Sequence, residues 1–170
     1  AAGSAAAEML LRLGYDGRLT LIDPDPGAPY DRPNLSKDYL AGNAPEEWIP
    51  LRAEDFYASH GINHVRDARV AELDLPQRVV RVANGGTHRF DRLLLVTGAE
   101  PVRLTLPGGD RAHVHYLRSL ADSRAIIAKA GTAKRAVVIG ASFIGLEVAA
   151  SLRARELEVH VVAPERLPLE

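Results

Sequence analysis

The sequence predicts an α/β fold built from two related strand–helix–strand units, with an antiparallel β-meander inserted in the first. From Arg135 to Val162, a strand, a helix and a second strand follow one another, at the spacing of about 30 residues that is typical of a parallel βαβ unit. Residues 1–25 show the later part of the same order, with a glycine, a helix, a strand and an acid. Residues 63–89 contain short strand-like runs separated by turn signals, which indicates the meander.

Composition excludes several classes of protein. The 170 residues are 46% hydrophobic and 25% charged, with a formal net charge of −1 and no cysteine. A charge this small gives no field that attracts nucleic acid or anionic membrane, and no apolar run approaches the roughly 20 residues of a bilayer span. The absence of cysteine excludes disulfides and thiolate chemistry within these residues. With no signal-peptide pattern either, we expect a cytoplasmic protein with neither membrane nor nucleic acid as partner.

The first half of the chain contains three predicted helices and at least four predicted strands. Residues 4–13 are strong helix formers followed by Gly14, a suitable C-cap. Turn signals at 74–77 and 84–86 separate the strands of the meander. The remaining short helices are predicted at 36–41 and 52–60, and the strands at 18–22, 63–65, 69–73 and 78–82, with another beginning at Arg89.

In the second half of the chain, residues 92–96 form an apolar run, which predicts a buried strand. The proline- and glycine-rich residues 101–112 predict a linker, and Val114–Leu117 a short strand. Ser119 is placed to N-cap a helix over 120–130. The βαβ unit then follows, with a strand at 135–139, a helix at 143–155 and a strand at 158–162.

The strongest motif joins the first strand of this βαβ unit to its helix. Gly140 and Gly145 occupy the outer positions of the G-x-G-x-x-G pattern that binds a dinucleotide, while Ser142 replaces the middle glycine. Serine is small enough to leave room for a pyrophosphate and is able to donate to it. The pattern therefore predicts a Rossmann-like nucleotide site, although a tight strand–helix turn without a ligand has the same pattern.

Acidic residues near the strand ends are candidate ribose ligands. Ala163 stands where an acid usually follows the second strand, and Glu165 is the nearest acid. A glutamate bound to the ribose would favour NAD over NADP. That Glu165 is only an exposed loop residue is an equally good interpretation. If Gly3 is the third glycine of an earlier copy, its first strand lies upstream of this chain. Asp23 or Asp25 would then hold the ribose of a second nucleotide.

Three ordered segments resemble the FAD-dependent ferredoxin reductases and apoptosis-inducing-factor-like flavoproteins. Residues 30–37 resemble the flavin-loop signature Tyr-x-Arg-Pro-x-Leu-Ser-Lys and match it at every specified position. Residues 97–101 resemble the second FAD motif, Thr-Gly-x-x-Pro, and residues 140–147 resemble the NADH motif, which ends in glutamate. Because the three segments occur in the family's order and at matching intervals, the resemblance extends over nearly all of the chain.

The resemblance implies roles for individual residues. Gly3 would lie near the FAD pyrophosphate, and Asp25 rather than Asp23 would hold the ribose. Lys37 would stabilise negative charge on reduced flavin, and Glu147 would pair with it, which makes these two the candidate catalytic residues. The other residues expected to contact FAD are Arg32, Pro33, Thr97 and Gly98. Without the resemblance, Arg32 and Lys37 would be interpreted as solvated loop cations and Glu147 as a surface acid.

We therefore expect two incomplete Rossmann-like three-layer domains, an FAD-binding domain over 1–106 and the first part of an NAD-binding domain over 107–170. The resemblance implies an NADH-dependent FAD oxidoreductase that passes electrons to a ferredoxin or Rieske-type iron–sulfur protein. Two alternatives stay open: an NADH-sensing flavoprotein that works through conformation and partners, and an inactive structural fragment. His113 and His115 have no third ligand at metal spacing, so no metal site is expected.

Overall fold

The computed structural model describes residues 1–169, which form two compact units. The first unit contains Ala1–Tyr30 and Pro50–Gly98, and the second contains Asp31–Ile49 and the chain from Ala99 onward. Most of the flavin-loop signature therefore packs with the βαβ unit and not with the residues that flank it in sequence. The predicted division into FAD and NAD domains at residue 106 stays a prediction.

Five α-helices and seven β-strands follow one another along the described residues. The helices are α1 (Ala2–Arg12), α2 (Asp38–Ala41), α3 (Phe56–Ser59), α4 (Leu120–Ala130) and α5 (Phe143–Ala154). The strands are β1 (Leu19–Ile22), β2 (Ile62–Val65), β3 (Val70–Asp74), β4 (Val79–Val82), β5 (Thr87–Arg89), β6 (Arg135–Ile139) and β7 (Glu158–Val162). Two short 3-10 helices lie at Pro33–Ser36 and Glu46–Trp48.

The first unit has a parallel strand pair and a separate meander. Strands β1 and β2 are parallel, with Leu19 opposite Ile62. Apolar residues of α1 and α3, including Ala7 and Tyr57, pack with Ile62 in a shared core. Strands β3, β4 and β5 form an antiparallel sheet in that order, which confirms a meander over residues 70–89. The predicted strand at 63–65 lies outside it, because β2 pairs in parallel with β1, and the strand predicted to begin at Arg89 instead ends there.

The second unit is organised by the predicted βαβ element. Strands β6 and β7 are parallel in continuous register from Arg135 opposite Glu158 to Ile139 opposite Val162. Helices α4 and α5 contribute Ala130 and Leu152 to a core that also includes side chains of both strands. The predicted helix starts at Leu120 and Phe143 are confirmed. Both could be predicted because the cap residue Ser119 and the strand–helix turn before Phe143 are local sequence signals.

Two predicted strands are absent from the structure, and two short helices differ from their predicted bounds. Residues 92–96 form no strand, and Leu94 and Leu95 are 63% and 59% exposed. An apolar run becomes a buried strand only beside a neighbouring strand that hydrogen-bonds to it. No strand within residues 1–169 pairs with this segment. Val114–Leu117 is also not a strand, since Val114 N–H bonds to the Arg111 carbonyl in a turn. The helix predicted at 36–41 is a 3-10 turn followed by α2, and that predicted at 52–60 is only α3.

The N-terminus of α4 yields a stability prediction. Ser119 accepts a hydrogen bond from the Asp122 N–H while the Asp122 carboxylate accepts from the Ser119 N–H, a complete capping box. We expect Ser119→Ala to lower the free energy of unfolding by about 1 kcal/mol. Ser142 precedes α5 in the same way but makes no side-chain cap bond, so Ser142→Ala is the matched control. Urea unfolding of both variants checks this, and equal losses would contradict it.

Candidate functional site

The turn between β6 and α5 brings two glycines into contact. Gly140 has φ +111°, a conformation that favours glycine, and its N–H donates to the Val162 carbonyl. A Cβ at Gly145 would lie 2.1 Å from the Gly140 carbonyl oxygen. Only a glycine at 145 therefore lets the first turn of α5 approach the end of β6 this closely. This close packing of helix on strand is the role of the third glycine in a dinucleotide fingerprint.

Gly3 has a comparable packing role in the first unit. A Cβ at Gly3 would lie 3.0 Å from Leu21 Cδ1 and 3.2 Å from Val96 Cγ2. The absence of a side chain thus brings α1 close to β1. Each unit therefore contains a helix that packs on a strand through a glycine, as the predicted pair of half-motifs would require.

The N-termini of α1 and α5 differ from that of α4. Neither α1 nor α5 has an acidic residue in its first turn or a side-chain hydrogen bond at its N-cap, whereas α4 has both. The first amides of an α-helix have no intrahelical partner and favour an anion. Among the helices of eight or more residues in the described chain, α1 and α5 thus have no acid in the first turn that would oppose a phosphate group, and each contains a candidate fingerprint glycine.

Lys37 and Glu147 meet within the second unit. Lys37 Nζ lies 3.0 Å from Glu147 Oε1, and the Lys37 and Glu147 side chains are 48% and 28% exposed. Ser36 Oγ donates to the other carboxylate oxygen, Oε2, at 2.6 Å. A single carboxylate on α5 thus joins two consecutive residues of the flavin-loop signature, and the ion pair expected from the sequence is present.

The surroundings of Glu147 favour its ionised form. The hydrogen bond from Ser36 is the largest cause that lowers the pKa of the Glu147 carboxyl, followed by the hydrogen bond from Lys37. Both donors stabilise the carboxylate more than the protonated acid. Glu147 is consequently an anion at neutral pH and a fixed acceptor for the Lys37 ammonium.

Buried hydroxyls and a guanidinium attach the loop Asp31–Ile49 to helices α4 and α5. Ser123 Oγ donates to the Leu35 carbonyl at 3.0 Å, and Ser151 Oγ donates to the Ser36 carbonyl at 2.7 Å. Arg155 Nε donates to the Leu40 carbonyl. Loop carbonyls that no strand or helix would satisfy are thereby paired.

A second charged cluster holds the far end of the same loop. Arg124 of α4 donates two hydrogen bonds to the Glu46 carboxylate, and the Tyr39 hydroxyl donates a third at 2.5 Å. The Arg124 bonds and then the Tyr39 bond lower the pKa of Glu46 to about 2. Together with the serines, this cluster fixes the loop at both ends.

The two candidate ribose acids lie beside each other at the end of β1. The Asp23 N–H extends the parallel ladder by donating to the Val65 carbonyl, and Asp23 Oδ1 accepts from the Asp25 N–H at 2.9 Å. Asp25 Oδ2 accepts from the hydroxyl of Tyr30, the first residue of the flavin-loop signature, at 2.6 Å. Asp23 thus lies at the strand end, and Asp25 is joined to Tyr30 within the first unit.

The remaining predicted residues are distributed over loops. Thr97 and Gly98 lie on an exposed extended segment, with Gly98 at φ +71°. Glu165 is exposed after β7. Arg32 precedes the 3-10 helix that begins at Pro33, whose carbonyl accepts from Ser36 Oγ and Lys37 Nζ at 3.2 and 3.5 Å.

Ser36, Ser123 of α4 and Ser151 of α5 have roles in the structure that the sequence alone does not predict. Ser36 stands inside the signature next to Lys37, which is a local hint. Ser151 lies four residues after Glu147 and so on the same helix face, but the sequence does not indicate that this face meets the loop. Ser123 has no local signal.

Comparison with known proteins agrees with this geometry. The sequence model of a family described as pyridine nucleotide-disulphide oxidoreductase matches residues 1–169. The chain belongs to this family. It is 42% identical over 164 residues to the biphenyl dioxygenase system ferredoxin–NAD(+) reductase component of Paraburkholderia xenovorans, covering 96% of this chain and 40% of that protein. It is also 35% identical over 168 residues to apoptosis-inducing factor 3 of Mus musculus, covering 99% of this chain and 27% of that protein.

A solved structure supports the same assignment. The crystal structure of a ferredoxin reductase from Rhodopseudomonas palustris superposes with a TM-score of 0.89 at 37% identity, covering 94% of this chain and 39% of that one. This match confirms the predicted Rossmann-like α/β class and the resemblance to ferredoxin reductases. The chain spans 40% or less of the length of these three proteins. None of the helices in the described part of the chain has the length and hydrophobicity that a membrane span requires.

The glycine contact in the β6–α5 turn yields a second prediction. We expect Gly145→Ala to lower the free energy of unfolding by about 3 kcal/mol, because the new methyl group meets a main-chain oxygen that has no room to move. Gly131 ends α4 with ordinary helical angles, and a Cβ there would lie 3.6 Å from its nearest neighbour. Gly131→Ala is therefore the control, expected to be neutral or slightly stabilising. Denaturant unfolding of both variants decides, and a tolerated Gly145→Ala would contradict the packing argument.

The Glu46 cluster predicts an acid-dependent loss of stability. The pKa of Glu46 is lowered in the folded protein from its ordinary value of 4.5 to about 2. The ionised carboxylate therefore stabilises the fold fully above pH 4.5, and this contribution disappears as the pH falls towards about 2. Because Arg124 and Glu46 are about half exposed, water screens the pair and the loss is about 1 kcal/mol or less. Urea midpoints between pH 5 and pH 2.5 should fall less in Glu46→Gln than in wild type. Glu47→Gln, the same change at the exposed neighbour, should retain the wild-type slope.

Proposed function

We propose that this chain supplies the flavin-contacting and nicotinamide-binding parts of an NADH-dependent FAD oxidoreductase. The electron acceptor we propose is a ferredoxin or Rieske-type iron–sulfur protein. The proposal rests mainly on one observation: Glu147, in the NADH-motif helix, bonds to both Ser36 and Lys37 of the flavin-loop signature. This contact holds the NADH-motif helix against the flavin-loop signature, and hydride transfer requires the nicotinamide and flavin rings that these two segments are proposed to bind to lie next to each other. The similarity to a ferredoxin–NAD(+) reductase component supports the acceptor class.

The residues available for two dinucleotides fit the two halves of this task. Gly140, Ser142 and Gly145 form the turn for the NADH pyrophosphate, and Glu165 is the proposed partner of the adenosine ribose. The residues proposed to hold FAD are Gly3, Asp23, Asp25, Arg32, Pro33, Lys37, Thr97 and Gly98. The tight glycine packing at Gly3 and Gly145 and the acid-free first turns of α1 and α5 support both halves.

FAD, held by these residues, would supply the redox chemistry between a two-electron hydride donor and a one-electron acceptor. Lys37 places an ammonium where negative charge accumulates on reduction, which stabilises that charge. Glu147 pairs with the Lys37 ammonium and restricts its direction. Because the chain has no cysteine, these residues contain no dithiol to receive the electrons, which supports a non-thiol acceptor.

A second candidate function is NADH sensing. The similarity to apoptosis-inducing factor 3 favours it, and the same ion pair would then stabilise a lasting complex between reduced flavin and NAD. An inactive structural fragment is the third alternative, and it predicts no flavin binding.

The test compares Lys37→Ala with Lys134→Ala in a complete family member that contains this chain. Both changes remove one lysine charge, but Lys134 lies before β6, outside the proposed site. We expect Lys37→Ala to slow flavin reduction by NADH about tenfold, which corresponds to roughly 1.4 kcal/mol of transition-state stabilisation, and Lys134→Ala to leave the rate unchanged. Anaerobic stopped-flow absorbance of the flavin band measures both rates.

The outcomes separate the alternatives. Equal rates in wild type and Lys37→Ala would overturn the role of Lys37. Fast turnover with an iron–sulfur acceptor supports the reductase. Slow turnover with a long-lived charge-transfer band favours the sensor, and a colourless protein that takes up no FAD favours the structural fragment.

A further inference from the structure

We propose that Ser151 is a positioning residue for the reaction, which fixes the main chain of Ser36 and Lys37 against α5 and so directs the Lys37 ammonium. This inference rests on the proposed function and deepens it. Ser151 is 5% exposed, and the single hydrogen of its hydroxyl is shared between the carbonyls of Ser36, the nearer acceptor at 2.7 Å, and Lys37, at 3.2 Å. One side chain thus holds the two residues that contact Glu147.

The placement of Ser151 relative to Glu147 supports this role. The two residues are four apart on α5, so their side chains lie on one face, one turn from each other. Glu147 holds the side chains of Ser36 and Lys37, and Ser151 holds their main chain. Because both anchors belong to one rigid helix, the side chains and the main chain of Ser36 and Lys37 are held separately. Neither loop residue is then free to rotate about a single contact.

The direction of the Ser151 hydroxyl is informative. A serine inside a helix commonly bonds to its own helix or faces water. Ser151 instead reaches a different segment of the chain, 115 residues earlier in the sequence. A buried hydroxyl without a partner is costly, so the hydroxyl and the loop carbonyls hold each other in place.

Lys37 depends on such an anchor more than a buried residue would. Its side chain is 48% exposed and flexible, and packing alone does not determine its direction. The main-chain position, the acceptor at Glu147 and the more distant Pro33 carbonyl, 3.5 Å from Nζ, are the constraints that do. Loss of the first would let the ammonium and the Ser36 hydroxyl move away from the carboxylate.

Ser123 provides a matched comparison within the same loop. It is fully buried, and its hydroxyl donates to the Leu35 carbonyl at 3.0 Å. Ser123→Ala and Ser151→Ala therefore remove the same buried group and the same type of bond. Only Ser151 bonds to the residues that contact Glu147, so a general loss of loop stability predicts equal effects, while positioning predicts unequal ones.

The experiment measures flavin reduction by NADH against pH in wild type, Ser151→Ala, Ser123→Ala and Ser151→Thr, which retains the hydroxyl. We expect Ser151→Ala to slow reduction at neutral pH about tenfold, as displacement of a reacting group by a fraction of an ångström does. We expect Ser123→Ala and Ser151→Thr to stay close to wild type. The acid side of the Ser151→Ala profile should also move to higher pH, because Glu147 loses the donors that favour its ionised form.

A second readout requires no bound flavin. The carboxyl of Glu147 is titrated by carbon NMR in the flavin-free protein labelled at glutamate, with the signal assigned by Glu147→Gln. The charged groups that face this carboxyl from the elements packed on α5 are Lys37 and, on the rim of the same shallow depression, Asp38. In Ser151→Ala the pKa of Glu147 should rise towards its ordinary value, and in Ser123→Ala it should stay low.

Equal titrations and equal rates in the two alanine variants would overturn the proposal, and so would a Ser151→Thr variant that behaves like Ser151→Ala. If Ser151→Ala does not fold, Ser151→Cys replaces it, because it fills the same space and lacks a strong donor. If NADH reduces no flavin even in wild type, the proposed function fails, while the Glu147 titration still decides whether Ser151 positions the loop.

Discussion

The carboxylate of Glu147 is shared between two donors from one loop, and the geometry of the second unit depends on this arrangement. Its two oxygens face different partners, Lys37 Nζ and Ser36 Oγ. A carboxylate with one exposed partner would be free to swing, and such surface pairs contribute little. With a buried serine hydroxyl on the second oxygen, the group has a fixed orientation. The direction of Lys37 then follows from a constraint and not from its charge alone.

The position of that carboxylate is set in turn by the glycine turn. Glu147 follows Gly145 by two residues, and the Gly145 Cα lies against the Gly140 main chain. A change that moved the first turn of α5 away from β6 would move Glu147 with it. The residues proposed to bind the nicotinamide nucleotide and the residue that contacts the flavin loop are therefore parts of one rigid helix start. This coupling gives a physical reason why a nucleotide fingerprint and a glutamate occur together in one short motif.

Local sequence was sufficient for much of the fold and insufficient for the contacts that matter most. The βαβ unit and the Ser119 cap were predictable because their signals lie within a few residues of each other. Residues 92–96 were predicted wrongly because an apolar pattern specifies that a segment can be buried, but not whether a neighbouring strand is there to pair with it. The ion pair of Lys37 with Glu147 was expected only through a family resemblance. The contacts of Ser151 and Ser123 were not predicted, since each joins residues more than 80 positions apart, and no periodicity records which carbonyl a buried hydroxyl will reach.

The charge balance of the site explains why positioning should matter more than the number of charges. Lys37 and an ionised Glu147 together are neutral, so at distances well beyond their 3.0 Å separation their fields largely cancel. The stabilisation that the ammonium offers to a developing negative charge is then short-ranged and depends steeply on where Nζ points. A loop held only by surface charges would lose this effect through small rotations. Two anchors on α5, a partly exposed carboxylate at 147 and a buried hydroxyl at 151, provide the restriction that a neutral pair needs in order to act at one atom.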